Sequence, residues 1–153
     1  MTGAFEEALA ACTVLNLAYV AEDGGPRVCA VFYAPAADGS LVFVSSRTTR
    51  HGRVLAADPD GTPVAFTVQD DRQTWQTLRG VQGRGVCHHL EGAELADART
   101  TYTARFPFVA VDDRLARALA AAGHWRIRPT RLRLIDNSQG FGHTTEWPAP
   151  DPR

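Results

Sequence analysis

The chain has 153 residues, a formal charge of −1 and 22% charged residues. That is long enough for one domain with its own core, and too nearly neutral for bulk attraction to nucleic acid or a membrane surface. All 16 basic residues are arginine, so mechanisms that need a lysine Schiff base or lysine general base are excluded.

Cys12, Cys29 and Cys87 are few, odd in number and far apart. They predict neither a disulfide framework nor a metal site. Glu6 and Glu7 stand where a secretory leader would be positively charged, and no apolar run reaches membrane-spanning length, so a soluble cytoplasmic protein is expected.

In chain order, Phe5, Ala8, Leu9 and Cys12 recur at helical spacing behind Thr2. Thr13 to Val20, Arg27 to Tyr33 and Leu41 to Val44 are rich in β-branched and aliphatic residues. Asp23-Gly24-Gly25-Pro26 and Pro35 to Gly39 are the turns between them, so a three-strand antiparallel meander is expected. The third strand runs into Ser45, Ser46, Thr48 and Thr49, interleaved with Arg47, Arg50, His51 and Arg53. A short helix then ends at Asp58-Pro59. A strand passing through hydroxyls and arginines into a helix start is suited to holding a phosphate.

A fourth strand is expected over Val64 to Val68, a loop over Gln69 to Gln73, and a long strand from about Trp75 to Leu90. Its glycines at 80, 83 and 85 indicate a bulge, bend or close approach. A helical pair follows. Leu95, Ala98, Tyr102 and Phe106 mark the first member, ended by Pro107; Asp112 caps the second, with Leu115, Ala118, Leu119 and Ala122 inward. In the last strand Trp125 and Ile127 are the apolar positions before Pro129-Thr130, and Leu132 and Leu134 after it. That change of parity predicts a bulge. The reading is a mainly β fold with inserted helices: a six-stranded antiparallel barrel with an N-terminal helix and a helical pair before the last strand.

The segment Pro26 to Phe66 resembles the FMN-binding split barrels related to pyridoxamine 5′-phosphate oxidase. The carrying residues are the Arg27-started strand, the strand ending in Ser45-Ser46, Thr49-Arg50-His51 and Asp58-Pro59. More narrowly, Phe32-Tyr33, Arg79-Gly80-Val81-Gln82, Arg105-Phe106-Pro107, Asp136-Asn137 and Gly140-Phe141-Gly142 resemble the YhbP-like group of that superfamily. The resemblance implies a split-barrel domain over residues 1–143 with a tail over 144–153. It also implies a homodimer with FMN at the subunit interface, and F420 or haem as alternative cofactors of the same fold.

Carried over by residue, Arg50 binds the phosphate with Thr49, and Ser45 and Ser46 lie where relatives touch phosphate or flavin. His51 stands where many relatives have a second cation. The strand through Cys29, Val31 and Tyr33 lies along the ring and offers backbone groups, and Gln76 or Gln82 supplies a polar contact. Asn137, Gly140, Phe141 and Gly142 either cap the partner's pocket or form a tight turn, and Trp147 is a candidate to stack on the flavin. The implied activity is that of a flavin-dependent oxidoreductase of unknown substrate; the alternative is a flavin carrier without turnover. No residue stands out as general acid or base, His51 and His143 being weak candidates.

Two further patterns have simpler explanations. Adjacent strand residues point to opposite faces, so Cys87-His88-His89 does not converge on a metal. Arg126, Arg128, Arg131 and Arg133 fit a solvated strand face, not a nucleic-acid strip.

Overall fold

The structure, a computed structural model, describes residues 3–148. Thr2, the residue ahead of the first helix, and residues 149–153 of the expected tail lie outside these. In order the elements are α1 (Gly3–Ala11), β1 (Val14–Val20), β2 (Pro26–Pro35), β3 (Leu41–Ser45), α2 (Arg50–Ala56), β4 (Thr62–Gln69) and β5 (Arg79–His89). They continue with α3 (Gly92–Arg105), α4 (Phe108–Val111), α5 (Asp113–Ala121), β6 (Gly123–Asp136) and β7 (Thr144–Trp147).

The strands form one antiparallel sheet in the order β3-β2-β1-β4-β5-β6-β7, and pairing of β3 with β6 closes the first six into a barrel. Closure leaves a six-stranded barrel with one extra strand at its edge. Alternation sends Leu15, Leu17, Val31, Tyr33, Phe43, Phe66, Val81 and Trp125 inward, where all are buried. Phe43 and Trp125 stack at the centre, centroids 6.2 Å apart. Each such side chain contributes roughly 1.5–3 kcal/mol by leaving water.

The expected parity change in the last strand is a bulge. Arg84 faces Arg131 and Gly85 faces Pro129, so Thr130 has no partner. Its hydroxyl instead donates to the Arg84 carbonyl at 3.2 Å. Ile127 and Leu132 therefore both reach the core across an odd number of residues. The glycine-rich β5 is explained by close approach: a Cβ on Gly83 would lie 2.2 Å from Phe66 Cζ, so the aromatic ring occupies the space that the missing side chain leaves.

A second apolar layer joins the outside of β2 and β3 to the helices through Ala34, Val42, Ala98, Tyr102, Phe106 and Val109. Arg126, on the same face, is 5% exposed and pairs with Asp97 at 2.6 Å. Arg128 pairs with Glu94 at 2.7 Å. Arg131 pairs with Glu146 of β7. Three of the four arginines expected on a solvated strand face are thus clamps to neighbouring elements, two of them to α3.

Several expectations need correction. Thr144 to Trp147 is not tail but β7, with Trp147 opposite Leu132. Trp75 to Leu78 precedes β5 as an exposed turn, because Gln73 and Asn137 take the backbone groups that a strand would pair: Gln73 Oε1 accepts from Arg79 N, and Asn137 Nδ2 donates to the Trp75 carbonyl at 2.6 Å. The helical pair is interrupted by the short α4. Asp112 does cap α5, its carboxylate accepting from Leu115 N at 2.9 Å. Yet α5 buries no residue, and Leu115, expected inward, is exposed. Amphipathic spacing marks an apolar face but does not provide a surface to receive it.

Candidate functional site

Leu41, Val42 and Phe43 are buried, and β3 leaves the barrel at Ser45. Its last carbonyl accepts from Trp125 Nε1 at 3.0 Å, so a core side chain pins the corner. Thr49 then caps α2: its hydroxyl accepts from Gly52 N at 3.0 Å and donates to the Ser46 carbonyl at 2.8 Å. Gly52 is required here, since a Cβ would lie 2.2 Å from the Ser46 carbonyl oxygen. Ser46 and Thr48 share a hydroxyl contact of 2.8 Å at the exposed tip.

Arg50, Arg53 and Val54 from α2 face Tyr19, Ala21 and Arg27 from the β1–β2 hairpin across a hollow of about 260 Å³. Glu22 and Asp23 complete the rim. Asp23 is held by Arg27 at 2.8 Å, its carboxyl kept low by the Gly25 N–H and by Arg27. Among the described residues no carboxylate lies within ion-pair distance of Arg47, Arg50 or Arg53. Arg53 does donate to the Thr48 carbonyl at 2.8 Å. The hollow thus combines two guanidiniums that form no ion pair among the described residues with the Tyr19 ring, a setting for an anion attached to a flat, partly apolar group.

β2 runs beside it. β3 pairs with β2 only at Tyr33, Ala34 and Pro35, so among the described residues the segment Pro26 to Phe32 has β1 on one side and no strand on the other. This gap is the split in the barrel. It leaves backbone donors and acceptors of β2 open, which is how an extended edge takes a planar polar ligand. The side chains at 31 and 33 do not face that edge. Val31 and Tyr33 are core residues, and the Tyr33 hydroxyl donates to the Leu9 carbonyl inside the fold. Burial raises the Tyr33 pKa and keeps it neutral. Cys29 is half-buried, with its thiol raised by burial.

The structure gathers Thr49, Arg50 and His51 at one corner with Ser45 and Ser46. His51 does not line the hollow. It turns toward the barrel, with Nε2 2.6 Å from Ser45 Oγ and its ring edge-on to Tyr19 at 6.3 Å. Gln82 lies exposed on the outer face opposite Thr67 and Arg133, and Gln76 sits in the exposed turn before β5; neither lines the hollow. Trp147 packs against the core. Asn137 acts as a turn staple, donating to Trp75 O and accepting from Gly142 N at 3.0 Å. It presents Trp75 and Phe141 edge to face, both exposed.

Sequence reasoning missed Tyr19 and left Arg27 as a mere strand start. A signal existed: the turn over Ala21–Gly25 sets Val20 opposite Pro26, which places Tyr19 directly opposite Arg27.

No family model matches the chain. Its sequence is similar to the UPF0306 protein YhbP of Salmonella schwarzengrund, 37% identical over 108 residues, 71% of this chain and 66% of that protein. The chain thus matches just under two thirds of that relative's length. Its fold is similar to that of the conserved hypothetical protein Rv2991 of Mycobacterium tuberculosis, with TM-score 0.74, 23% identity, and 95% and 91% of the two chains covered. It is also similar to a heme binding protein of Mycobacterium smegmatis, with TM-score 0.72, 26% identity, and 95% and 58% covered. An FAD binding protein of the same organism gives TM-score 0.60 at 13% identity, with 82% and 87% covered.

Proposed function

We propose that this chain, a homologue of UPF0306 YhbP proteins, binds FMN, with the flavin phosphate on Arg50 and Arg53 and the ring along the open edge of β2. The observation that carries this reading is the pair of guanidiniums without carboxylate partners among the described residues, facing one hollow beside a strand edge that no described strand pairs. A phosphate monoester supplies the missing charge, and Arg gives it forked hydrogen bonds. The FAD-binding and haem-binding proteins of the same fold support a planar, anionic cofactor.

The reading includes a homodimer. Val14, Val20, Val28 and Phe32 are exposed on the outer face of β1 and β2, more large apolar surface than one small sheet face leaves in water without a partner. The flavin, when bound, supplies two-electron redox chemistry, and an oxidoreductase of unknown substrate is the activity that fits. The chain's own part is to anchor the phosphate, align the ring with backbone groups of β2 and exclude water with Tyr19 and Val54.

The test is the visible spectrum of the purified protein, followed by titration with FMN. Flavin absorbance or quenched flavin fluorescence supports the proposal; absence of both sinks it. Haem is the second reading, favoured by the M. smegmatis heme binding protein, and a Soret band on haem addition without FMN uptake selects it.

A further inference from the structure

The barrel has a second parting besides the one at β2. β1 stays paired with β2 as far as Val20, opposite Pro26, and β4 is paired with β5 from Thr62, opposite Cys87. Between β1 and β4, however, pairing stops at Ala18 opposite Ala65. Beyond that rung the strands diverge, and among the described residues Tyr19 and Val20 have no strand partner across the gap from Pro63 and Val64. Pro63 has no N–H to offer a ladder there. The parting opens as a cleft of about 470 Å³, within the size range of small-molecule sites. The two alanines form its closed end, and Val20, Pro26, Pro63 and Val86 line its sides. Among the described residues one permanently charged side chain lines the cleft, Arg84, and no carboxylate does. Arg84 lies opposite Ala65 across β4 and β5, is exposed, and forms no ion pair among the described residues. Arg126, Arg128 and Arg131 on the neighbouring β6 each have a carboxylate. The bulge holds the Arg84 backbone in place, through the Thr130 hydroxyl that donates to its carbonyl at 3.2 Å.

We propose that this cleft is a binding site, separate from the flavin hollow, for a small amphipathic carboxylate. The apolar body packs on Ala18 and Ala65 between Val20 and Pro63. The carboxylate takes Arg84, whose planar guanidinium presents paired N–H donors to both oxygens. Charge complementarity selects this occupant: the lining is apolar apart from one cation, so a ligand with an apolar body and one negative end matches it. A phosphate finds one cation and apolar walls here, whereas the hollow beside α2 offers it Arg50 and Arg53. Tyr19 borders both spaces, but Arg84 lines only the cleft.

The experiment titrates the full chain with hydrocinnamate and with its uncharged match, hydrocinnamyl alcohol, by calorimetry near neutral pH, where the acid is ionised. Wild type is expected to bind the acid at about millimolar concentration or tighter, the range for a ligand of that size. It should bind the acid about three- to tenfold more tightly than the alcohol, the range of one partly screened charge-assisted contact. Arg84→Gln is expected to bring the acid down to the level of the alcohol and to leave the alcohol unchanged. Ala65→Leu, which puts a branched side chain into the cleft, is expected to lose both ligands. FMN titrations of the two variants should match wild type, because neither residue lines the hollow beside α2. Equal affinity of wild type for acid and alcohol overturns the proposal and leaves the flavin reading untouched. So does the absence of saturable binding of the acid, the result expected when a side chain of a second copy fills the cleft. FMN affinity that falls with Arg84→Gln overturns the assignment of a separate ligand. If Ala65→Leu does not fold, unchanged acid binding by Arg84→Gln overturns the proposal by itself.

Discussion

Replacing Arg50 by Ala tests the site most directly. Arg50 lines the hollow, has no carboxylate partner among the described residues and is exposed, so its removal leaves no buried charge behind. What is lost is a charge-assisted contact to a phosphate, worth about 1.5–3 kcal/mol. Solvent screening at an open rim favours the lower half of that range. At about 1.4 kcal/mol per factor of ten, FMN affinity should fall about tenfold to fiftyfold. Arg53→Ala should cost less, because Arg53 already donates to the Thr48 carbonyl at 2.8 Å. Riboflavin, which lacks the phosphate, should bind wild type and Arg50→Ala equally. Fluorescence titration with both ligands reads this out, and unchanged melting temperatures exclude a folding effect. Equal losses for FMN and riboflavin, or no loss for either, would falsify the placement of the phosphate on Arg50.

Three further outcomes follow from the fold. Gly83→Ala forces a Cβ to within 2.2 Å of Phe66 Cζ, and should lower unfolding free energy by about 1–3 kcal/mol in a urea titration, with Phe66→Leu partly restoring it. Thr49→Ala removes the acceptor for Gly52 N and should cost about 1 kcal/mol by the same measurement; a change near zero shows that water replaces the cap. His124 is 1% exposed, with Nδ1 donating to the Ala122 carbonyl and Nε2 without a partner among the described residues. Its pKa is lowered, chiefly by burial. The unfolded chain therefore binds the proton first, so the stability that neutral His124 confers is complete above the ordinary imidazole pKa of about 6.5 and declines as pH falls below it. His124→Gln should flatten that part of the stability–pH curve in urea melts; an unchanged slope assigns it to other groups.

Much of the barrel is legible in the residues because strand alternation is a local property. Leu15, Leu17 and Tyr19 are buried in turn, and the inward set in β6 shifts at Pro129-Thr130 as its apolar pattern shifts. The corner between β3 and α2 is legible for a similar reason: Thr49 and Gly52 sit at cap spacing, and Arg50 and Arg53 follow within one helical turn. Helix partners are a different matter. Leu115 and Leu119 have the spacing of a core face, but whether α5 meets the sheet depends on where α3 and α4 leave it.

What the sequence alone determined was the set of elements around the corner and the chemistry available there, since turn residues, caps and alternation act over a few positions. Only the tertiary structure decided which face each residue serves. It closed β3 onto β6 rather than along the whole of β2, and so opened the β2 edge. It set Tyr19 and Arg27 across from Arg50 and Arg53, and turned His51 away from them onto Ser45. Each of these is a contact between residues far apart in the chain, or a rotamer chosen by packing, and neither has a local signature in the order of amino acids.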